Sequence, residues 1–322
     1  RLGRLIYDAE EVLDLPGAGH PHISGWLETS VQGNFDRGAI LDGPLSDSNL
    51  PIYLVETALT VHMLMVEVAA NDEERAAYLN NISVDLGRLG RREAALESIQ
   101  EAIEIRRDLA ENQPEAFRSH LAVSLNNLSA RLSDLGRKSE AFDAIREAVA
   151  IYRELAESRP ETFRFNLAQS LNNLSSQLTN QGMQDIALDT AQESVDIFRD
   201  LAKVKPELYR PALADSLNNL SDQLGSLGKP EVALGTIQEA LDIYRGLAGL
   251  QPEAFRPDLA VSLGVRGMVL EGLGRVEEAR ASYIEALEII SPFADRFPDG
   301  PAGDIRAMLL DDLNELEDGE AG

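Results

Sequence analysis

Ser124-Leu125-Asn126-Asn127-Leu128-Ser129 returns letter for letter at Ser170–Ser175 and at Ser216–Ser221, and a looser copy stands at Tyr78–Ser83. The step is 46 residues. Gly90, Gly136, Gly182, Gly228 and Gly274 keep the same step, as do Pro114, Pro160, Pro206 and Pro252. A fixed period held by glycine, proline and apolar positions together marks stacked supersecondary units that share one continuous core. A single compact core is hard to extend over 322 residues, whereas an array escapes that limit because each unit needs only its neighbours.

One period, Pro160 to Pro206, shows what the unit is. Phe163, Leu167, Leu171, Leu174 and Leu178 recur at helical spacing and form one apolar stripe. Gly182 ends it, since glycine accepts the left-handed conformation of a helix C-cap. A second stripe follows in Ile186, Ala187, Ala191, Ser194, Val195, Ile197, Phe198 and Leu201. Small residues recur where the two helices meet: Ser83, Ser129, Ser175 and Ser221 on the first, and Ala95, Ala141, Ala187 and Ala233 on the second. Side chains of that size let helix axes approach toward the lower end of the ~8–10 Å packing range. Antiparallel helix hairpins are the expected unit.

A first helix carrying Leu-x-x-Leu-Ser, a glycine turn, then alanine and Glu-Ala at fixed steps resembles the tetratricopeptide repeat. It is most similar to the long-repeat, kinesin-light-chain-like and actinobacterial forms, and residues near 72–290 carry the likeness. The resemblance implies an all-α, right-handed superhelical solenoid whose first helices line a concave groove. The familiar repeat is about 34 residues long, so the additional residues here are expected to extend both helices.

The chain therefore divides into an irregular segment over 1–70, five hairpins over 71–292, and a capping helix over 298–317. In the first segment, 1–13 and 51–70 read as helices. Pro16–Pro51 between them is rich in Gly, Pro, Asp and Ser and contains Trp26, the sole tryptophan. The last unit departs from the pattern, with Leu263-Gly264-Val265-Arg266-Gly267 replacing the asparagine block and Pro292 expected to cut its second helix short. Beyond it, Ile305, Met308, Leu309, Leu313 and Leu316 share one helical face suited to covering the open end of a core.

Composition narrows the function. Against 29 basic residues stand 55 acidic ones, a net charge of −26, which argues against nucleic acid and anionic membranes as partners. A basic protein partner is compatible with it, and so is a solvated acidic surface that keeps a long array soluble. Cysteine is absent, which removes thiol chemistry and fits a reducing, cytoplasmic setting. Arginine outnumbers lysine among the basic residues, a bias that GC-rich bacterial genomes produce, and Arg rather than Met at position 1 suggests a piece excised from a longer protein.

The paired asparagines Asn80/Asn81, Asn126/Asn127, Asn172/Asn173 and Asn218/Asn219 call for explanation, because asparagine is a mediocre helix former. By resemblance, the second of each pair, Asn81, Asn127, Asn173 and Asn219, matches the asparagine ladder that holds extended peptides in some members. An amide matches one peptide group, so such a ladder grips main chain. The alternative is a clasp between neighbouring helices. Further groove positions are Val84, Ala130, Ser176 and Asp222, then Arg88, Asp134, Asn180 and Ser226. Arg88 is the one basic residue among them, so capture of a terminal carboxylate is disfavoured.

No serine, histidine and acid grouping stands apart, and His20 and His22 form at most half a metal site. The expectation is a non-enzymatic scaffold for a protein or peptide, needing no cofactor and no metal. The alternative is the sensor arm of a larger bacterial signalling protein, such as a nucleotide-switch ATPase or a caspase-like effector.

Overall fold

A proline cannot follow a residue in the α conformation without a clash, so each Pro of the repeat forces the residue before it into an extended backbone. Gln113, Arg159, Lys205 and Gln251 all have φ between −139° and −136°, and each is the single residue separating one helix from the next. The prolines themselves open those next helices, where the missing N–H costs nothing. Within a hairpin the glycine does the turning. Gly90, Gly136, Gly182, Gly228 and Gly274 have φ from 68° to 75°. Around Gly182 the Met183 N–H reaches the Leu178 carbonyl at 2.9 Å and the Gly182 N–H reaches Thr179 at 2.9 Å, the paired bonds of a Schellman motif.

The computed structural model describes residues 52–296, 298 and 301–321, with side chains over 55–296, 298 and 301–316. The expected helix at 1–13, the Gly/Pro-rich segment with Trp26, and His20 and His22 lie outside the described residues. Twelve helices are described: α1 (Ile52–Glu67), α2 (Asp72–Arg88), α3 (Arg92–Asn112), α4 (Pro114–Asp134), α5 (Lys138–Ser158), α6 (Pro160–Asn180), α7 (Gln184–Val204), α8 (Pro206–Ser226), α9 (Pro230–Leu250), α10 (Pro252–Gly272), α11 (Val276–Arg296) and α12 (Pro301–Ala321). There is no strand among the described residues. From α3 onward each helix has 21 residues, which is where the length beyond a shorter repeat has gone.

Two compact units divide the chain, 1–137 and 138–322. In the first, α1 packs on α2, α2 on α3 and α3 on α4; in the second, consecutive helices pack in the same way from α5 to α12. First helices also touch one another, α2 on α4 in the first unit and α6 on α8 and α8 on α10 in the second, so they form the tighter layer of each unit. Second helices are linked at longer reach by ion pairs. Arg153 meets Glu193 at 2.6 Å, Arg199 meets Glu239 at 2.5 Å and Arg245 meets Glu285 at 3.0 Å.

The cores are built from the repeated slots. Leu125 in the first unit and Leu171, Leu217 and Leu263 in the second are exposed by 1% or less. Truncating any of them to alanine costs about 2–5 kcal/mol. The small residues Ser83, Ser129, Ser175, Ser221, Ala95, Ala141, Ala187 and Ala233 are all buried. At the start of the first unit, His62 of α1 is hydrogen-bonded through Nδ1 to Asp85 Oδ2 of α2 at 2.8 Å, both residues buried.

The end of the second unit explains the broken asparagine block. A Cβ on Gly264 would lie 2.8 Å from Leu309 of α12, and one on Gly267 would lie 2.4 Å from the Tyr283 ring of α11. Glycine at both sites admits those two side chains, and α12 packs on α10 and α11. Pro292, expected to end the preceding helix, instead lies inside α11. Ala294, fully buried beyond it, and Phe293, packed on the core, hold the last turn in place.

Candidate functional site

The first and second asparagines of each pair behave differently because they sit on different sides of their helix. Asn80 of α2 is buried, and its Oδ1 accepts from Asn127 Nδ2 of α4 at 3.0 Å and from Ser124 Oγ at 3.1 Å. In the second unit Asn219 Nδ2 of α8 donates to Asn172 Oδ1 of α6 at 3.1 Å. The rule within each unit, seen in the Asn127–Asn80 and Asn219–Asn172 links, is that a second asparagine donates to the first asparagine one hairpin earlier. Gln223 Nε2 adds a parallel link to Ser175 Oγ at 3.1 Å. Where the rule fails, a polar atom is stranded. Asn218 is 8% exposed, and its Oδ1 takes no hydrogen bond among the described residues, because the position that should supply the donor is Val265.

The outer half of the second asparagines is different. Asn127 and Asn219 are half-buried, each with one N–H committed inward, and neither Oδ1 accepts a protein hydrogen bond among the described residues. Asn81 is half-buried as well, and Asn173 is exposed. Asn126 is half-buried and donates from Nδ2 to the Ala122 carbonyl at 3.0 Å. Of the further positions, Arg88 is half-buried, while Asp134, Asn180 and Asp222 are exposed. Asp134 is 3.5 Å from Arg131. Loss of hydration pushes the Asp222 carboxyl above its ordinary range even though the residue is open to solvent on one side.

The first unit also contains a cavity of about 440 Å³, which the sequence did not announce. It opens where α2 starts late: α2 has 17 residues, Asn71 precedes it as the cap, and its first turn carries Glu73 and Glu74. Asn71 caps the helix by accepting from the Glu74 N–H at 2.9 Å, and Glu74 Oε2 accepts from the Ala70 N–H at 2.9 Å. Arg106 of α3, only 7% exposed, forms one wall. Its Nη1 donates to Ser124 Oγ at 2.6 Å and to the His120 carbonyl at 2.9 Å, and stands 3.5 Å from Asn80 Oδ1, which ties the cavity to the asparagine link. The His120 side chain is held below the usual histidine range, first by loss of hydration and then by the Arg106 charge, against an opposing pull from Glu73. The signal that could have found this site is a break in period. The Arg106 slot is Tyr152, Phe198 and Tyr244 in later hairpins.

In the second unit three groups meet across three helices. The Tyr244 hydroxyl of α9 donates to an Asp215 carboxylate oxygen of α8. Asp258 of α10 is raised to about 6, first by burial and then by the Asp215 charge. Asp215 is itself raised by loss of hydration, against the Tyr244 bond. It is open to solvent on one side yet surrounded by protein elsewhere, and the surrounding protein sets the direction. Among the described residues no group of three His, Cys, Asp or Glu side chains is arranged to hold a metal ion, and no helix is long and apolar enough to cross a membrane.

Arg164 of α6 reaches Asp200 of α7 at 3.2 Å.

Profiles of the tetratricopeptide repeat match residues 75–115, 121–160 and 260–292, which hold α2–α3, α4–α5 and α10–α11. No match to a curated protein was found. Among solved structures, BtubC (BKLC) from P. vanneervenii superposes with a TM-score of 0.58 at 17% identity, covering 74% of this chain and 92% of that one. NprR in complex with its cognate peptide NprX gives a TM-score of 0.59 at 15% identity, covering 99% of this chain and 88% of that one. The apo form of the quorum sensor NprR from B. thuringiensis gives 0.54 at 13% identity, covering 96% and 78%. Profile matches on three hairpins, the glycine-turned helix pairs and these shared folds agree: the chain contains tetratricopeptide-type helix hairpins.

Proposed function

We propose that this chain is a protein-binding scaffold that grips the main chain of an extended segment through the second asparagine of each pair. Asn81 and Asn127 do so on the first unit, and Asn173 and Asn219 on the second, with Arg88, Asp134, Asn180 and Asp222 flanking them. The observation that carries this is the half-committed amide of Asn127 and of Asn219. One N–H fastens hairpin to hairpin, and the carbonyl oxygen and second N–H are left to match a peptide group. NprR, which shares the fold at low identity, has been captured with a peptide, so the fold accommodates such a guest. The acidic surface favours a segment carrying basic residues, in a reducing, cytoplasmic setting.

The test is a peptide selected on the full chain from a display library, then resynthesised with N-methyl groups at alternate residues. Removing peptide N–H groups in the gripping register should weaken binding at least tenfold, as should Asn127→Ala with Asn219→Ala. Asn172→Ala removes an inward acceptor away from the cavity, so it should lower stability while the folded protein still binds. Binding that tolerates N-methylation in every register would end this reading. The regulatory arm of a larger signalling protein is the same site in another setting, favoured by the fold shared with a quorum sensor. An in-frame phosphate-binding loop upstream of Arg1 in the gene would support it, and a nearby start codon would reject it.

A further inference from the structure

The cavity of the first unit is the counterpart of a space that the chain fills for itself elsewhere. In the second unit Phe165 of α6 stands between two other rings, 5.8 Å from Phe198 of α7 in an edge-on arrangement and 5.5 Å from Tyr209 of α8. Two periods earlier in the sequence those three positions are Glu73, Arg106 and Phe117. All three line the cavity. The ring that fills the centre in the second unit has no counterpart here, because its position is a carboxylate at the start of a helix that begins late.

What remains around the space suits a flat guest. The Phe117 and His120 rings lie 5.9 Å apart at 46°, the Arg106 guanidinium adds a third flat face, and Leu109, Val123 and Ala77 supply apolar surface. Glu73 and Glu74 oppose an anion, and Arg106 opposes a cation. An uncharged aromatic ring meets no such objection, and it gains contact with the guanidinium and with the ring edges. Asn81 also borders the cavity, so a ring seated there belongs to a residue next to main chain held by that asparagine.

We propose that this cavity is a socket for one aromatic side chain of the bound polypeptide, seated in the place that Phe165 fills in the second unit. The proposal deepens the peptide-binding reading and rests on it for the identity of the guest. It supplies the anchor that the small and polar positions elsewhere in the expected groove lack.

The probe is N-acetyl-4-fluorophenylalaninamide, followed by fluorine NMR on the full chain, with N-acetyl-leucinamide as competitor. Wild type should bind the aromatic amide, and the leucine amide should compete at least tenfold less well. Glu73→Phe places the protein's own ring in the socket and should weaken the probe at least tenfold, whereas Glu97→Phe, an added ring at an exposed α3 position outside the cavity, should leave it unchanged. If circular dichroism shows that Glu73→Phe fails to fold, Val123→Trp closes the same space from α4. No binding by wild type, or equal binding by the filled variants, overturns the socket. Display peptides that bind in an N-methylation-sensitive way without aromatic preference would also overturn it while leaving the asparagine grip standing. If the amide binds and no peptide does, the socket survives and the grip falls.

Discussion

Val265→Asn should stabilise the protein, because it gives Asn218 the donor that Asn80 and Asn172 have. A buried amide oxygen without a partner carries its full desolvation cost, and a net hydrogen bond contributes about 0.5–1.5 kcal/mol. The gain should therefore be about 1 kcal/mol, read as a higher urea midpoint with the slope unchanged. Asp258 makes a second test. Its carboxyl titrates at about 6, above its value in the unfolded chain, and it faces Asp215 from α8 and Tyr244 from α9. The folded protein thus binds this proton more tightly than the unfolded one, and stability from this group falls as pH rises through that window. Asp258→Asn should raise the urea midpoint at about pH 7.5 and do little at about pH 4. The asparagines were visible in the sequence as a repeated block. Which amide meets which was not, because two adjacent residues on a helix differ in facing by about 100° and the letters do not say which side is covered. Arg106 and His120 escaped notice for a related reason: a residue that breaks a period looks like drift until a cavity shows what the break opens.

At the scale of a helix pair, the turn glycines admit a clean measurement. A Cβ built on Gly182 meets nothing within 4 Å, so an alanine there is opposed by backbone conformation alone. With φ at +75°, Gly182→Ala should cost about 1–2 kcal/mol, seen as a lower urea midpoint, while helix content by circular dichroism stays the same. These turns were readable because glycine and proline act locally: each dictates its own backbone angles or those of its neighbour. The leucine stripes were readable for a similar reason, since burial on one face imposes a helical spacing. The passage of α11 through Pro292 was not readable. It is decided by packing with other helices, which includes the burial of Ala294.

Over the whole molecule, charge sets a sign. The excess of acid leaves the chain at −26, so repulsion among like charges opposes compactness at low salt. The exposed arginine pairs along the second helices contribute only about 0–1 kcal/mol each and are screened as well. Repulsion should win, and raising sodium chloride from about 20 mM to about 500 mM should raise the thermal unfolding midpoint. A fall would mean that the arginine pairs count for more than exposed pairs ordinarily do.

The regular offset between partners has a genetic consequence. Crossing-over between the identical blocks at Ser170 and Ser216 would delete one full period, 46 residues. Arg153 would then face Glu239 in place of Glu193, and the remaining second asparagines would still find first asparagines at the right distance along the chain. A gene of this kind can gain or lose a hairpin in one recombination step without passing through a product that cannot fold. Copy number is thus open to selection in the same way as a point substitution.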